Sequence, residues 1–163
     1  MREIKFRAFD KVSKKMIYSD ERDMKERDVE YSFEVVEDVV QCWWEEDCYD
    51  SCGYPTVNSE LLDNIMQYTG LKDKNGTEIY EGDIVKFEDV GEEGYEYKEG
   101  FDFTNYASVV FEGGRWELNN FLDNNSGMLE TMNSSHEDFI AEFGTFEVIG
   151  NIHENSELLE GRK

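Results

Sequence analysis

The sequence predicts a mainly β fold, β-rich α+β in class, and three observations lead there. Apolar residues recur at every second position over short runs, the period of a half-buried strand. Glycine-containing dipeptides punctuate those runs at turn-like intervals. Proline, which sheet interiors exclude, occurs once in the 163 residues, at Pro55.

Residues 1–19 read as an N-terminal β-hairpin. Ile4, Phe6 and Ala8 alternate with Lys5, Arg7 and Phe9, DKVSKK supplies a polar turn, and Met16-Ile17-Tyr18 returns. An acidic insert follows over 20–60. Val29, Tyr31, Phe33 and Val35 alternate with Glu30, Ser32 and Glu34 as a strand would, yet Val29, Phe33, Val36, Val40 and Trp43 also fit one face of a helix. Residues 36–47 stay open between the two. The stretch 40–60, with Cys42-Trp43-Trp44 and CGYP, reads as irregular.

The segment 61–152 reads as the core of the fold. Ile65, Gln67 and Thr69 alternate with Met66, Tyr68 and Gly70, Asn75-Gly76 suits the positive φ of a hairpin tip, and 78–87 resumes extended structure. Gly82-Asp83 stands between Ile79-Tyr80 and Ile84-Val85, where glycine can bend a strand and Asp83 can accept nearby backbone N–H groups. Such a pair before an apolar strand is common in SH3-like barrels, so the expectation is a small SH3-like barrel or a strongly bent sheet. Residues 106–111, the Gly113-Gly114 turn, 115–118 and 146–152 supply further strands. Ile79, Ile84, Val85, Val110, Trp116, Val148 and Ile149 are the expected core. A loop or long hairpin is expected over 88–102, a short helix over 137–143 capped by Ser135, and a tail over 153–163. All of 1–163 is grouped as one domain with acidic inserts.

Charge narrows the function. Sixteen Lys and Arg face 39 Asp and Glu, a formal net charge of −23, and nine of the sixteen lie within residues 2–27. No Lys or Arg occurs from 28 to 71, where 11 residues are acidic. Binding to nucleic acid or to an anionic membrane surface needs cations against phosphate, so both are disfavoured and a basic partner is favoured. No apolar run approaches the length of a membrane span, the first residues lack the apolar stretch of a signal peptide, and three cysteines (Cys42, Cys48, Cys52) make a poor disulfide framework. A cytoplasmic protein is expected.

Enzyme chemistry finds little support. His136 and His153 lack metal-site spacing, and the cysteines lack both a fourth ligand and a placed base. The glycine-bearing segments VGEEG and EGGR do not match a phosphate-cradling motif. Asp73, Glu81 and Asp83 are suited to a hard cation, but turn formation explains them more simply. No cofactor, metal or catalytic residue is assigned.

MREIKFRAFD followed by KKMIY, then MQYTGLKDKNGTEIYEGDIVKF at 66–87, then FEVIGNIHENSELL at 146–159 resemble, in order and spacing, the YopX family of phage and prophage proteins. Phe9 and Ser156 depart from the Trp and Pro expected there. The resemblance implies phage or prophage origin, hence the cytoplasm of a bacterial host, a β-rich fold and a homo-oligomer. It carries no catalytic residue, since the family's biochemical function is unknown.

The expected function is therefore non-enzymatic binding of a basic host or phage protein through an acidic, aromatic-bearing surface, with carboxylates standing in for nucleic-acid phosphates. Trp43, Trp44, Glu88, Asp89, Glu92, Glu93, Tyr95 and Tyr97 are the candidate partner-binding residues, and Tyr49, Tyr54 and Phe101 are further exposed-aromatic candidates. Asn75, Gly76, Gly82 and Asp83 are assigned to turns. The alternatives are an oligomeric scaffold or small-ligand-binding protein, and a hydrolase using a carboxylate-bound metal. The basic N-terminal hairpin of one subunit against the acidic stretch of another is the expected route to self-association.

Overall fold

The computed structural model describes residues 3–20, 25–26, 29–37, 39–91 and 102–160. The fold is strand-rich, as expected, with a strongly curled half-barrel sheet and, among the described residues, two α-helices. Where the sequence reading groups 1–163 together, the chain divides into two compact units, Met1–Gln67 and Tyr68–Lys163. Each has its own apolar core.

In the first unit, β1 (Phe6–Asp10) and β2 (Lys15–Tyr18) form the expected hairpin, with Arg7 opposite Tyr18 and Asp10 opposite Lys15. Asp10 organises the turn by accepting the Val12 N–H at 2.8 Å. β3 (Lys25–Glu26), β4 (Val29–Val36), β5 (Val39–Tyr49) and β6 (Pro55–Leu62) make a four-stranded antiparallel sheet in chain order. The first residues of β7 (Ile65–Lys72) pair with β1, Ala8 opposite Ile65.

Residues 36–47 are thus extended, and the helix-like spacing of Val36, Val40 and Trp43 is coincidental. Val36 pairs with Val39 across the turn and both are exposed, so no helical apolar face exists for a core to cover. The expectation of an irregular 40–60 is also corrected. Polar residues of low β propensity in β6 are held by an unbroken ladder to β5, from Tyr49 opposite Pro55 to Cys42 opposite Leu62. Ala8, Ile17, Tyr31, Cys42 and Leu62 form the buried centre, with Val29, Phe33, Trp44 and Ile65 around it.

In the second unit, the rest of β7 pairs with β8 (Glu78–Tyr80), and β9 (Asp83–Val90), β10 (Asp102–Glu112), β11 (Arg115–Asn119) and β12 (Glu147–Asn151) form a sheet ordered β11-β10-β9-β12. Helices α1 (Gly127–Ser134) and α2 (His136–Glu142) follow β11, and Ser135 caps α2 by accepting the Asp138 N–H. Ile79, Val85, Trp116 and Val148 contribute to or pack against the core as expected, and Ile84 is buried too. Val110 and Ile149 do not join it. Val109 takes the inward position with Asn105 and Ala107, and a bulge between Val148 and Gly150 displaces Ile149 from the ladder.

The expected turns hold. Asn75-Gly76 lies in a loop closed by Asp73, whose Oδ1 accepts the Asn75 and Thr77 N–H groups, each at 2.8 Å, and whose Oδ2 accepts the Val148 N–H at 3.0 Å. Burial would raise the pKa of this carboxyl, but the bonds from Val148, Thr77 and Asn75 outweigh that and hold it below the usual carboxylate value. Gly76 has φ +83 with open space where a Cβ would sit, so only backbone conformation demands glycine. Gly76→Val is expected to lower stability by about 1–2 kcal/mol. An unchanged denaturant midpoint would contradict this origin of the turn.

Candidate protein-binding face

The β4-β5-β6 sheet is an alternation of two faces. The inner face carries Tyr31 and Phe33 of β4, Cys42 and Trp44 of β5, and Leu62 of β6, all in or against the small core. Tyr31 donates its hydroxyl to Asp10 Oδ2 at 2.8 Å, which satisfies a buried phenol. Burial would raise the Asp10 pKa, yet bonds from Ser13, Tyr31 and Val12 hold it below the ordinary value. Burial pushes the Cys42 thiol up to about 12, with Asp10 adding to the effect, so this sulfur is a packed thiol and not a nucleophile.

The outer face is different in kind. β5 sends Gln41, Trp43, Glu45, Asp47 and Tyr49 to it, and the register sets Ser32 and Leu61 beside Trp43, Ser59 beside Glu45 and Val57 beside Asp47. Glu34, Glu45 and Asp47 are exposed. Tyr49 is 76% exposed and Val57 55%. No Lys or Arg occurs in β4, β5 or β6. Glu30 stands opposite Glu45 of β5 on one side and opposite Lys25 of β3 on the other, so a Lys position borders this like-charge pair at the β3 end of the sheet. The result is a strip on which Trp43 with Leu61 and Tyr49 stand on either side of the carboxylates of Glu45 and Asp47.

At the far end, Asp50 fixes the β5–β6 turn. Its Oδ1 accepts the N–H groups of Cys52 at 2.8 Å and Tyr54 at 2.9 Å, and its carbonyl accepts that of Gly53. Tyr54 is 69% exposed on this braced tip. Aromatic rings held on a rigid element supply contact area with little ordering cost, which is what an interface anchor requires.

The sequence-derived residues distribute unevenly over this picture. Trp43 lies on the outer face, whereas its neighbour Trp44 packs against the core side. Glu88 is exposed in the second unit, where the Thr104 hydroxyl donates to it at 3.1 Å. Asp89 is not a surface residue: it is 4% exposed and accepts bonds from the Val90 N–H, Asn105 Nδ2, the Ser126 hydroxyl and the Met128 N–H. Glu92, Glu93, Tyr95, Tyr97 and Phe101 lie outside the described residues. Asn75, Gly76 and Gly82 sit in turns, whereas Asp83, assigned to a turn from the sequence, is the first residue of β9, where its Oδ2 accepts the Tyr80 N–H at 2.7 Å across the Glu81-Gly82 turn and its backbone pairs with Asn151. Sequence reasoning missed Glu45, Asp47, Val57 and Leu61 as members of one face. Their signal is the odd-numbered alternation 43, 45, 47, 49, legible once 39–49 is known to be a strand.

Among the described residues, no three His, Cys, Asp or Glu side chains converge as metal ligands. The second unit carries an open hollow of about 490 Å³ lined by Phe103, Tyr106, Leu122 and Leu158 together with Asp123, Glu157 and Glu160. No helix among the described residues is long and apolar enough to cross a membrane.

Comparison with known proteins adds the following. The family model described as YopX protein matches residues 5–160. Among solved structures, the chain is similar to the crystal structure of protein EF1440 from Enterococcus faecalis, with 26% identity over 98% of this chain and 99% of that one and a TM-score of 0.49. No curated protein matches.

Proposed function

The chain belongs to the YopX protein family, and from that premise we propose that it is a non-enzymatic phage or prophage accessory protein that binds a basic protein surface. The observation that carries this reading is the outer face of β5: Trp43 and Tyr49 flank the carboxylates of Glu45 and Asp47, and strands β4, β5 and β6 contain no cation, the sheet's one Lys among the described residues being Lys25 on β3. Carboxylates in this setting attract Lys and Arg clusters and repel phosphate, and the rings add apolar area that outlasts electrostatic encounter. A partner that ordinarily holds nucleic acid meets both requirements, with the carboxylates in the place of phosphates.

Titration of the full-length protein with a synthetic nona-arginine peptide and, separately, with duplex DNA tests this. Peptide affinity is expected to fall as salt rises, with no DNA binding. Glu45→Gln combined with Asp47→Asn is expected to slow association about 10-fold, and Trp43→Ala to hasten dissociation by a similar factor. Indifference of the peptide to all three substitutions, or salt-resistant DNA binding, would end the proposal. Asp89 does not belong in such a series, because its substitution would act through folding.

Self-association is a competing use of the same charge pattern, with the basic hairpin of a second subunit as the occupant. Light scattering separates the two, since only self-association makes mass depend on protein concentration. The small-ligand alternative rests on the hollow at Phe103 and Tyr106. Two rings with three carboxylates suit an organic cation, and Tyr106→Ala would weaken that binding without touching the β5 face.

A further inference from the structure

The strand β6 presents a second surface in the same unit, an edge with which no strand pairs among the described residues, its 60–62 end lying near Phe9–Val12 across a shared hollow. Pro55–Leu62 is the terminal strand of its sheet, eight residues long, and every residue from 55 to 61 is exposed. Natural edge strands are usually blunted by charged residues, Lys above all, by proline within the strand, by a bulge or by brevity. Of these β6 has only one charge, Glu60, on the face it shares with Trp44. It has no Lys, its register with β5 is unbroken, and its one proline is the first residue.

The ladder also fixes which amides face outward. The Asp50 N–H donates to the Tyr54 carbonyl at 2.9 Å, so the 50:54 pair is hydrogen-bonded. Alternation along an antiparallel ladder then directs the backbone groups of Thr56, Asn58 and Glu60 toward β5, and those of Val57, Ser59 and Leu61 away from it. Pro55 falls in the outward set, where its missing N–H costs the ladder nothing.

We propose that this edge receives an extended, basic segment of the partner protein by strand addition. The inference rests on the reading of the outer face as a site for a basic protein, and it names how the partner's backbone is held. A strand added beyond β6 lies about 10 Å from β5, two inter-strand spacings, so Arg and Lys side chains on its outer side extend over Val57, Ser59 and Leu61 toward Glu45 and Asp47. On the opposite side they meet Glu60. A second copy of β6 would bring another Glu60 and no cation, so charge favours a basic segment over the chain's own edge.

The test uses the full chain labelled with ¹⁵N and a synthetic octapeptide of alternating Val and Arg. Addition of the peptide is expected to slow hydrogen exchange at least 10-fold at Val57, Ser59 and Leu61, with little change at Thr56, Asn58 and Glu60, which the β5 ladder already holds. Ser59→Pro, which deletes the central outward donor, is expected to weaken peptide binding at least 10-fold, while Ser59→Ala, which keeps it, binds as the unmodified chain does. Protection without alternation, or equal binding by Ser59→Pro and Ser59→Ala, overturns strand addition. If binding then still falls with Glu45→Gln and Asp47→Asn, the face reading survives alone. If it does not, both fail. Protection of the same three amides by raising protein concentration without peptide would make a second copy the occupant, and would also overturn the proposal. The exchange pattern is read on the unmodified chain, so the outcome does not depend on Ser59→Pro folding.

Discussion

Asp89→Ala is expected to destabilise the second unit by about 3 kcal/mol or more, while Glu88→Gln, one residue away, changes stability by less than about 0.5 kcal/mol. The two side chains leave β9 on opposite faces. Asp89 accepts from four donors: the Val90 N–H at 2.8 Å, Asn105 Nδ2 at 2.9 Å, the Ser126 hydroxyl and the Met128 N–H at 3.3 Å. Asn105 and Ser126 are fully buried, so removing their shared acceptor strands polar groups where water does not reach them. The carboxylate also stands at the start of α1, whose N-cap residue Ser126 makes no side-chain cap of its own, and a negative charge is favourable at a helix N-terminus. Thermal unfolding followed by circular dichroism should show a midpoint lowered by roughly 10 °C or more. Equal midpoints for the two variants would refute the assignment.

Phe143→Ala is expected to cost about 3–5 kcal/mol, by the lost transfer of a buried ring and the cavity left behind. Phe143 has no exposure and is gripped on two sides, by Phe139 at a ring separation of 5.3 Å and Phe146 at 5.0 Å. Phe146 in turn meets Phe87 of β9 at 5.2 Å, so one chain of rings ties α2 and the approach to β12 onto the sheet. A rigid ring cluster collapses poorly around a hole, which places the cost toward the upper end. Urea unfolding measures it. A loss under 1 kcal/mol would show that the ring chain is not what fastens α2.

Elements whose determinants are local were legible in the sequence. The hairpin at 6–18 has its turn-forming Asp10 two residues from the N–H it accepts, and the loop at Asn75-Gly76 and the Ser135 cap are equally short-range. What failed was set at a distance. Residues 36–47 fit two periods, and only pairing with β4 and β6 decides between them. The helix α1 went unread because the carboxylate at its start is Asp89, 39 residues before Met128, and no spacing rule reaches that far. Exchanging Glu88 and Asp89 between surface and interior needs only a one-residue change of phase, and the phase is set by where β9 ends. Trp43 and Trp44 divide for the same reason. The β5 face was half visible: its acids and aromatics stood out, but their common side did not.

The disparity between the two cores has a consequence for the life of the protein in a cell. Among the described residues, five buried side chains form the centre of the first unit and twelve that of the second. Folding free energy is a small difference between large terms, so the poorer core leaves its unit closer to the threshold at which proteases find opened chain. Under the proposed binding of a basic protein, mass action makes that protein a determinant of abundance. A ligand present at 100 times its Kd adds about 2.7 kcal/mol to whatever it binds, a large share of what a small unit possesses. On the proposed reading, copies that hold a basic partner are expected to outlast idle ones, so occupancy and turnover would become one quantity, with the acidic sheet as the part of the chain that registers it.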